Sequence, residues 1–463
     1  MVALQERAAL LTNAAPLEGL YPTTRPGPAI ALLPWGNVLE DFLDTIGVSL
    51  EVFCNEFKGS WMFGYVEALR KVGVRTVLIC ISARVSAPAH FTHLPTGATI
   101  CVLPAPKIYC AIRRKVLNPY GRTVKQAFGD LRRTQLFLIP PLALLREVML
   151  YLMTPLRLVA HELRRHGCNA ILCQEYEYPR FDACVLLGQL MGLPVFATFQ
   201  GGNYQRSRIE RYLRPHTLRA CAGLIIGTQS EVQRVRAHYG IASTKLARIF
   251  NPIDLELWKP IDRQEARRAL GIPLDARAVV WHGRVSMQQK GLDVLLDAWE
   301  RICCQRTGRD LRLLLVGTGK DAEKLRQHIV SMQLRGVLWA DEFVHDRNTI
   351  RCYLSASDVY AFPSRHEGFP VSPIEAMACG LPVVAADAPG MPDILEGGEA
   401  SGGLMVPRDN PEELALALGR LLDDQAWSCE LGKRARRRVE AHFSLEAVGE
   451  QLRTFLLNNH FKN

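Results

Sequence analysis

Two loops of the sequence combine charged residues with glycine and proline in an order that suits phosphate chemistry. The first loop carries Arg284 and Lys290 and leads into a helical pattern that begins at Leu292. Cations beside a helix N-terminus hold a diphosphate well, because backbone amides and the helix dipole add to the side-chain charges. The alternative is a solvated loop with two scattered cations. Gly283 is the first residue of this loop, and Gly317 is the first residue of the loop that follows the next apolar run.

The second loop places one glutamate before a predicted helix and another inside it. Gly368 lets backbone amides approach a ligand, and Pro370 fixes the turn that precedes the helix. Such a start can hold phosphate, with Glu367 placed for sugar hydroxyls and Glu375 placed for a ribose. Taken alone, two glutamates eight positions apart would more often be surface charge. Their flanking residues favour a binding site.

Apolar runs alternate with helical patterns in two stretches of the chain, and this alternation predicts parallel sheets covered by helices. The predicted strands are 48–53, 74–81, 170–173 and 195–199 in the first stretch, and 278–282, 311–316, 337–339, 359–362 and 383–385 in the second. Ligands of open parallel sheets bind beyond the carboxyl ends of the strands, so the loops above are expected to meet there. The proline-bearing connector at 251–260 suits an interdomain hinge.

Composition bounds the class of protein. The chain has 463 residues, of which 48% are hydrophobic and 22% charged, which favours two folded domains and excludes a disordered chain or a long coiled coil. Its thirteen cysteines include no Cys-x-x-Cys pair, so we expect reduced, buried thiols rather than a zinc framework. A signal peptide needs an apolar run near the N-terminus, and that region contains Gln5, Glu6 and Arg7 instead. The apolar stretch 136–156 is broken by charged residues and prolines, so it is not expected to span a membrane. The expected location is cytoplasmic.

Most of the excess positive charge is local. The net charge of the chain is +10, and residues 107–165 contain twelve basic and three acidic residues, a net charge of +9. Apolar residues interleave with these cations, so the segment could rest on an anionic membrane surface, peripherally on its inner face. A solvated helical face is the alternative. Nucleic acid is not expected as a partner, because no recognisable binding module accompanies the charge.

Several motifs together resemble those of the retaining glycosyltransferases of family 4, which have the GT-B fold. The motifs are Arg284 with Lys290, the Glu367-x7-Glu375 frame, the segments 374–385 and 389–394, and the connector 251–254. The resemblance is specific over about 220–425 and only architectural over about 48–205. It implies an α/β protein with two Rossmann-like domains whose parallel sheets face a central cleft. Residues 1–45 are outside the resemblance and are predicted from their composition to be an N-terminal extension of unknown role. The other predicted domains are an acceptor-side domain at 46–255, a nucleotide-sugar-binding domain at 256–440 and a C-terminal helix at 441–463 that packs back on the first domain.

The resemblance also assigns roles to residues. In the family, the residues at the positions of Arg284 and Lys290 hold the donor diphosphate. The residue at the position of Glu367 contacts the transferred sugar, and the residue at the position of Glu375 binds the ribose hydroxyls. The implied catalytic residues are Glu367, Lys290 and Arg284; the implied donor-binding residues are Gly59, Ser60, Gly283, Gly317, Gly368, Phe369, Pro370, Val371 and Glu375; and Gln200 and Gly201 are sugar contacts. The implied reaction is retaining transfer of a sugar from a nucleoside-diphosphate sugar to a hydroxyl acceptor, lipid-linked acceptors included. No metal is expected, since the chain lacks Asp-x-Asp.

Two positions depart from the family pattern. Gln200 stands where many relatives have a histidine, and an amide cannot titrate, which leaves no general-acid role there. Asp393 stands where a glutamate is common.

Two rival functions are also compatible with the sequence. Gly317, Gly319 and Ala322 fit the G-x-G-x-x-A dinucleotide fingerprint, and Asp341 follows at about the expected distance, as in an NAD-dependent oxidoreductase. A catalytically silent module that binds sugar nucleotides or a membrane surface is the other rival.

Overall fold

Two β-sheets, each covered by helices, make up the computed structural model, which describes residues 27–57, 60–118, 123–130, 137, 139–201, 207–344, 346–367 and 369–458. The strands of the first sheet are β1 (Ala29–Leu33), β2 (Arg75–Ser82), β3 (Ala89–Thr92), β4 (Thr99–Pro104), β5 (Ala170–Cys173), β6 (Val195–Thr198), β7 (Gly223–Ile225) and β8 (Leu246–Ala247). Their order is β3-β4-β2-β1-β5-β6-β7-β8, and every neighbouring pair is parallel except β3 with β4.

The helices of this part of the chain connect the strands and cover both faces. They are α1 (Leu39–Ile46), α2 (Leu50–Asn55), α3 (Ser60–Lys71), α4 (Lys107–Arg113), α5 (Val124–Phe128), α6 (Ile139–Tyr151), α7 (Leu156–Arg165), α8 (Pro179–Met191), α9 (Arg208–Ala220) and α10 (Gln229–Tyr239), followed by a 3₁₀ turn at Ser243–Lys245.

The second sheet has six parallel strands in the order β11-β10-β9-β12-β13-β14. They are β9 (Arg277–His282), β10 (Leu311–Val316), β11 (Val337–Ala340), β12 (Val359–Phe362), β13 (Val383–Ala386) and β14 (Gly403–Val406). The five strands predicted for this stretch are confirmed. The helices are α11 (Arg263–Leu270), α12 (Met287–Lys290), α13 (Leu292–Gln305), α14 (Ala322–Ser331), α15 (Arg347–Ala356), α16 (Ser372–Ala378), α17 (Met391–Ile394), α18 (Pro411–Asp423), α19 (Gln425–His442) and α20 (Leu445–Arg453), with a 3₁₀ turn at Gly398–Ser401 and a π-helical turn at Thr454–Asn458.

Strand β1 corrects the predicted N-terminal extension at 1–45. All five of its residues are buried, and it pairs with β2 on one side and β5 on the other, near the middle of the sheet. A parallel strand that is covered on both faces consists of continuous apolar residues, and 29–33 fit that pattern. The prediction was wrong because the prolines around this short run suggested a leader. Residues 1–26 lie outside the described part of the chain.

The predicted strand at 48–53 is also wrong, because helix α2 occupies this stretch. Ser49 caps the helix, its hydroxyl oxygen accepting the backbone N–H of Val52 at 3.1 Å, and Phe53 and Cys54 are buried in the core. A run of apolar residues this short does not separate a strand from a buried helical turn. The loop after Phe53 is therefore not the end of a strand.

The chain passes between the domains at two neighbouring places. After α19, helix α20 packs on α3 of the first domain. The connector lies beside it, because Ile253 N–H donates to the carbonyl of Phe443 at 2.7 Å. Gly449 brings the two helices close together: a Cβ at this position would lie 2.3 Å from the carbonyl oxygen of Ala68. The α/β class with two parallel-sheet domains is confirmed.

Candidate active site

A cleft of about 710 Å³ lies between the two domains. Its walls come from α3 of the first domain, the connector, and the loop before α16 of the second domain; among its lining residues are Phe63, Glu67, Pro252, Asp254, Val371 and Glu375. The loops after β9 and β12 approach each other at the carboxyl edge of the second sheet. Two predicted site residues, Val371 and Glu375, therefore face the cleft.

Lys290 and Glu367 form an ion pair across two loops of the second domain. Lys290 ends α12, and its Nζ lies 2.6 Å from Oε1 of Glu367. The exposed fractions of these side chains are 17% and 11%, so water screens the pair only partly. An ammonium group has three N–H donors, and one contact to Glu367 leaves donors for phosphate oxygens. The structure thus joins the predicted phosphate ligand to the predicted sugar contact.

Arg365 holds the loop that carries Glu367. Its guanidinium donates two hydrogen bonds of 2.7 Å to the carboxylate of Asp293 and also pairs with Asp409. Its backbone N–H donates to the carbonyl of Gln289 at 3.0 Å. Burial alone would raise the pKa of Asp293, but the hydrogen bonds and charge of Arg365 outweigh it and lower this pKa. Sequence reasoning missed Arg365, whose partner Asp293 is 72 positions away.

Two glycines let the loops of the site lie against each other. Gly291 has φ = 61°, and a Cβ there would lie 2.1 Å from the carbonyl oxygen of Pro363. Gly317 has φ = 127°, and its Cβ would lie 2.1 Å from the carbonyl oxygen of Gly283. Larger residues at either position would push the loops apart. This close packing accounts for Gly317 in the apparent dinucleotide fingerprint.

Glu375 pairs with the last residue of β9. Its Oε2 lies 2.8 Å from Nε2 of His282, a buried residue whose carbonyl accepts the hydroxyl of Tyr360 at 3.3 Å. Burial raises the pKa of Tyr360, so its hydroxyl stays protonated as a donor. His282 thus fixes one oxygen of Glu375 where the helix meets the cleft. No role was predicted for His282, although its position at a strand end was a signal.

Other predicted donor residues lie in different surroundings. Arg284 is exposed, and within the described ranges it makes no hydrogen bond or ion pair. Phe369 stacks on Phe250 with ring centroids 5.4 Å apart, and Gly227 of the first domain lies against its ring, so Phe369 is a contact between the domains. Pro370 is buried. Gly59 and Gly368 lie outside the described residues, as does the side chain of Ser60.

Gln200 is held by hydrogen bonds at the end of β6. Its Nε2 donates to Oδ1 of Asn251 at 3.2 Å, and Nδ2 of Asn251 donates back to its Oε1 at 3.0 Å. Its backbone N–H donates to Oε2 of Glu175 at 3.0 Å. Glu175 is buried with φ = 133°, a conformation rare for residues other than glycine. Gly201 follows and is exposed.

Asp393 joins the two domains. It accepts the backbone N–H of Gln229 at 2.8 Å and Nη2 of Arg248 at 2.9 Å, both from the first domain. Burial raises the pKa of Asp393, and these donors only partly offset that effect. Asp393, although shorter than a glutamate, therefore has one partner at the start of α10 and another in the loop after β8.

Comparison with known proteins identifies matching families for both domains. The sequence model described as "Glycosyltransferase Family 4" matches residues 63–257, and the model described as "Glycosyl transferases group 1" matches residues 276–424. Curated relatives include the D-inositol 3-phosphate glycosyltransferase of Corynebacterium diphtheriae, 30% identical over 54% of this chain and 59% of the relative. The D-inositol 3-phosphate glycosyltransferase of Saccharomonospora viridis is 33% identical over 43% of this chain and 47% of the relative. The chain spans about half the length of these relatives.

Solved structures share the architecture over nearly the whole chain. Sucrose-phosphate synthase from Thermosynechococcus elongatus superposes with a TM-score of 0.61 at 21% identity, covering 92% of this chain and 97% of that one. Anabaena HepE in complex with UDP superposes with a TM-score of 0.62 at 16% identity, covering 93% and 100%. At these identities the likeness shows the fold alone, and that fold is GT-B. With both domains matched by glycosyltransferase family models, the chain belongs to the family 4 glycosyltransferases.

Proposed function

We propose that the chain transfers a sugar from a nucleoside-diphosphate sugar to a hydroxyl acceptor, with retention of anomeric configuration, in the synthesis of a polysaccharide, glycolipid or glycoside. The observation that carries the proposal is the Lys290–Glu367 pair of 2.6 Å, which joins the loops after the adjacent strands β9 and β12, and the second of these loops leads into the helix of Glu375. This arrangement offers a cation for phosphate and carboxylates for hydroxyl groups at one end of the sheet. Family membership supports the same chemistry.

The donor is a nucleotide sugar, and uridine diphosphate sugars are the first to test. Anabaena HepE, which shares the fold, has been solved with UDP and with UDP-glucose. The curated relatives act on D-inositol 3-phosphate by name, so this hydroxyl compound is the first acceptor to test. Because the chain spans only part of those relatives, both choices are starting points for a screen.

Fixed cations take the place of a catalytic metal in this proposal. The sequence contains no Asp-x-Asp, and Lys290 stands where it could stabilise negative charge that develops on the leaving diphosphate. Arg284 is exposed and unpaired among the described residues, which leaves its guanidinium available to a second phosphate oxygen. Turnover should therefore be the same with and without added Mg²⁺.

The oxidoreductase rival loses its main support in the structure. Asp341, the residue at the ribose position of the fingerprint, pairs with Arg326. A Cβ on Gly319 would lie 2.3 Å from the carbonyl oxygen of Val285, so packing between loops requires this glycine as well. The silent-module rival differs from the proposal only in catalysis, so turnover distinguishes the two.

The acceptor-side domain carries a surface suited to an anionic membrane. Ile108, Leu117, Phe137 and Leu144 expose between 58% and 76% of their surface, and Lys107, Arg114, Lys115 and Arg157 are exposed in the same segment. Among the described residues, no helix combines the length and apolar character that crossing a bilayer requires. We propose that this surface, which we call the basic apolar patch, binds anionic lipid beside a membrane-presented acceptor.

The test is a product assay. The chain is incubated with a panel of nucleotide sugars, first alone and then with D-inositol 3-phosphate and other hydroxyl acceptors, and released nucleotide is measured. The anomeric configuration of the product is read from proton NMR coupling constants. An inverted product would contradict retention. No released nucleotide from any donor, together with tight nucleotide binding, would favour the silent module.

A further inference from the structure

Four side chains from three elements of the first domain converge at the open edge of its sheet. His90 of β3 and Cys101 of β4 are directly paired residues of an antiparallel ladder, so their side chains lie on the same face. Glu162 and His166 belong to α7 and its C-terminal end, four positions apart, and therefore share one helix face. The two pairs meet where the helix packs on β4. None of the four lines the cleft between the domains.

The four potential ligand atoms lie close together, and the distances known between them suit a tetrahedral site. Oε2 of Glu162 lies 3.0 Å from Nε2 of His90, 3.3 Å from Nε2 of His166 and 3.7 Å from Sγ of Cys101. Sγ of Cys101 lies 3.6 Å from Nε2 of His166, and all four atoms fall within 4.8 Å of one another. With zinc–ligand distances of about 2.0 to 2.3 Å, neighbouring ligand atoms of a tetrahedral zinc site are roughly 3.3 to 3.7 Å apart.

We propose that His90, Cys101, Glu162 and His166 bind one Zn²⁺ ion as a closed, structural site. The ligand types are those that zinc prefers, and four protein ligands leave no open position for catalysis. Cys101 binds as a thiolate, its proton passing to solvent, and with the Glu162 carboxylate it neutralises the two positive charges of the ion. Among the described residues, this is the group of His, Cys, Asp and Glu side chains whose geometry could hold a metal.

Burial makes a bound cation favourable at this position. Cys101 and Glu162 are both almost fully buried, and Sγ of Cys101 lies against the Glu162 carboxylate. A buried thiol beside a buried carboxylate gains a strong partner when a divalent ion replaces the proton. Arg165 is the competing group, since its Nη1 lies 3.4 Å from Nε2 of His90. Its side chain is exposed and can turn into solvent when the ion binds.

The site would fasten the β3–β4 hairpin to α7. Strand β3 lies at the edge of the sheet, and an edge strand is stabilised by the elements that pack over it. This structural ion is separate from the reaction proposed above and does not depend on it. It departs from the sequence prediction of no zinc framework, because the ligands come from four single positions without a Cys-x-x-Cys pair. The spacing of Glu162 and His166 on one helix was the available signal.

The test uses the full chain without a histidine tag, treated with chelator and then titrated with Zn²⁺ or Co²⁺. We expect one equivalent of Zn²⁺ to bind and raise the Tm, and Co²⁺ to give a thiolate charge-transfer band with intense tetrahedral visible bands. Cys101→Ser should abolish the charge-transfer band. The matched control is Cys168→Ser, which alters another buried cysteine of the same domain and should keep the band.

Three further variants distinguish loss of the ion from a simple folding defect. His90→Asn and His166→Asn should each weaken Zn²⁺ binding at least about tenfold, while far-ultraviolet circular dichroism stays that of the wild type. Arg165→Gln should bind Zn²⁺ at least as tightly as the wild type. The proposal is overturned if the wild type binds no stoichiometric Zn²⁺, or if Cys101→Ser gives the same Co²⁺ spectrum as the wild type.

Discussion

The side-chain amides of Gln200 and Asn251 donate to each other, at 3.2 and 3.0 Å, and so join the end of β6 to the connector between the domains. Many members of the family have a histidine at the position of Gln200. In this chain the side-chain amide of Gln200 is hydrogen-bonded to Asn251, which is buried. The pair therefore has a structural function that can be measured separately from any contact with the sugar.

We expect Gln200→Ala to lower the free energy of unfolding by about 1 kcal/mol, because one partner of a partly buried hydrogen-bonded pair is lost. Asn251→Ala should cost a similar amount. The double variant should cost clearly less than the sum of the two, since both substitutions remove the same bonds. Urea denaturation of the four proteins gives the coupling, and strict additivity would contradict the pairing.

Lys290→Ala should lower turnover about 10²- to 10³-fold, as expected when one donor to developing negative charge is removed. The matched control is Lys324→Ala, an exposed lysine of the same domain that also pairs with a carboxylate. It should retain wild-type turnover. Steady-state rates with the best donor from the screen decide the matter, and thermal unfolding confirms that both variants fold. Full activity of Lys290→Ala would exclude the assigned role.

The two glutamates should separate nucleotide binding from transfer. Glu375→Gln should weaken binding of the bare nucleotide, because a carboxylate accepts ribose hydroxyls more strongly than an amide does. Glu367→Gln should leave nucleotide affinity intact and damage transfer. Isothermal titration calorimetry with UDP measures the first effect, and turnover measures the second. Equal losses of nucleotide affinity would show that the division of roles is wrong.

Asp293→Asn should destabilise the chain in a pH-dependent way. Arg365 lowers the pKa of Asp293 in the folded state, so this carboxylate contributes stability that is present above its unfolded pKa of about 3.9 and lost as the pH falls through the folded value. We expect a loss of about 1 kcal/mol at pH 7, reduced by the partial exposure of the pair. The difference from the wild type should shrink below about pH 4. Urea midpoints from pH 3 to 7 test this, and a constant difference would contradict it.

Charge reversal in the basic apolar patch should reduce binding to anionic liposomes. Arg113 is a poor target because it forms an ion pair with Asp41, largely buried beneath it. The informative variant is Lys107→Glu, Arg114→Glu and Lys115→Glu, all at exposed positions. We expect less sedimentation with liposomes and partial release of the wild type at 1 M salt, where the Debye length falls to about 3 Å.

The control for the liposome experiment carries the same charge change on the other domain. Lys259→Glu, Arg268→Glu and Arg301→Glu alter three exposed residues there and should leave sedimentation unchanged. Nucleotide binding should be unaltered in both triple variants. Equal sedimentation of the two variants would indicate that net charge, rather than this surface, governs binding.

The sequence was most informative where burial dictates residue type. The strands of the second sheet were predictable because 278–281 and 359–362 are continuous apolar runs of a parallel sheet. Strand β1 was missed because prolines flank it, although it lies near the middle of its sheet. Glu367, Lys290 and Glu375 could be proposed from their loops. The contacts that hold them could not be predicted: His282 and Glu375, for example, are 93 positions apart, and nothing local in the sequence records such a contact.

The two crossings of the chain between the domains limit how the domains can move. Ile253 in the connector and Ser444 before α20 form a parallel bridge, and the hydrogen bond from Ile253 to Phe443 lies beside it. A single crossing would let one domain swivel about the chain, whereas two segments tied side by side resist torsion and still allow bending. We therefore expect opening and closing to follow one axis, which returns Lys290 and Glu375 to the same place relative to the first domain in every cycle.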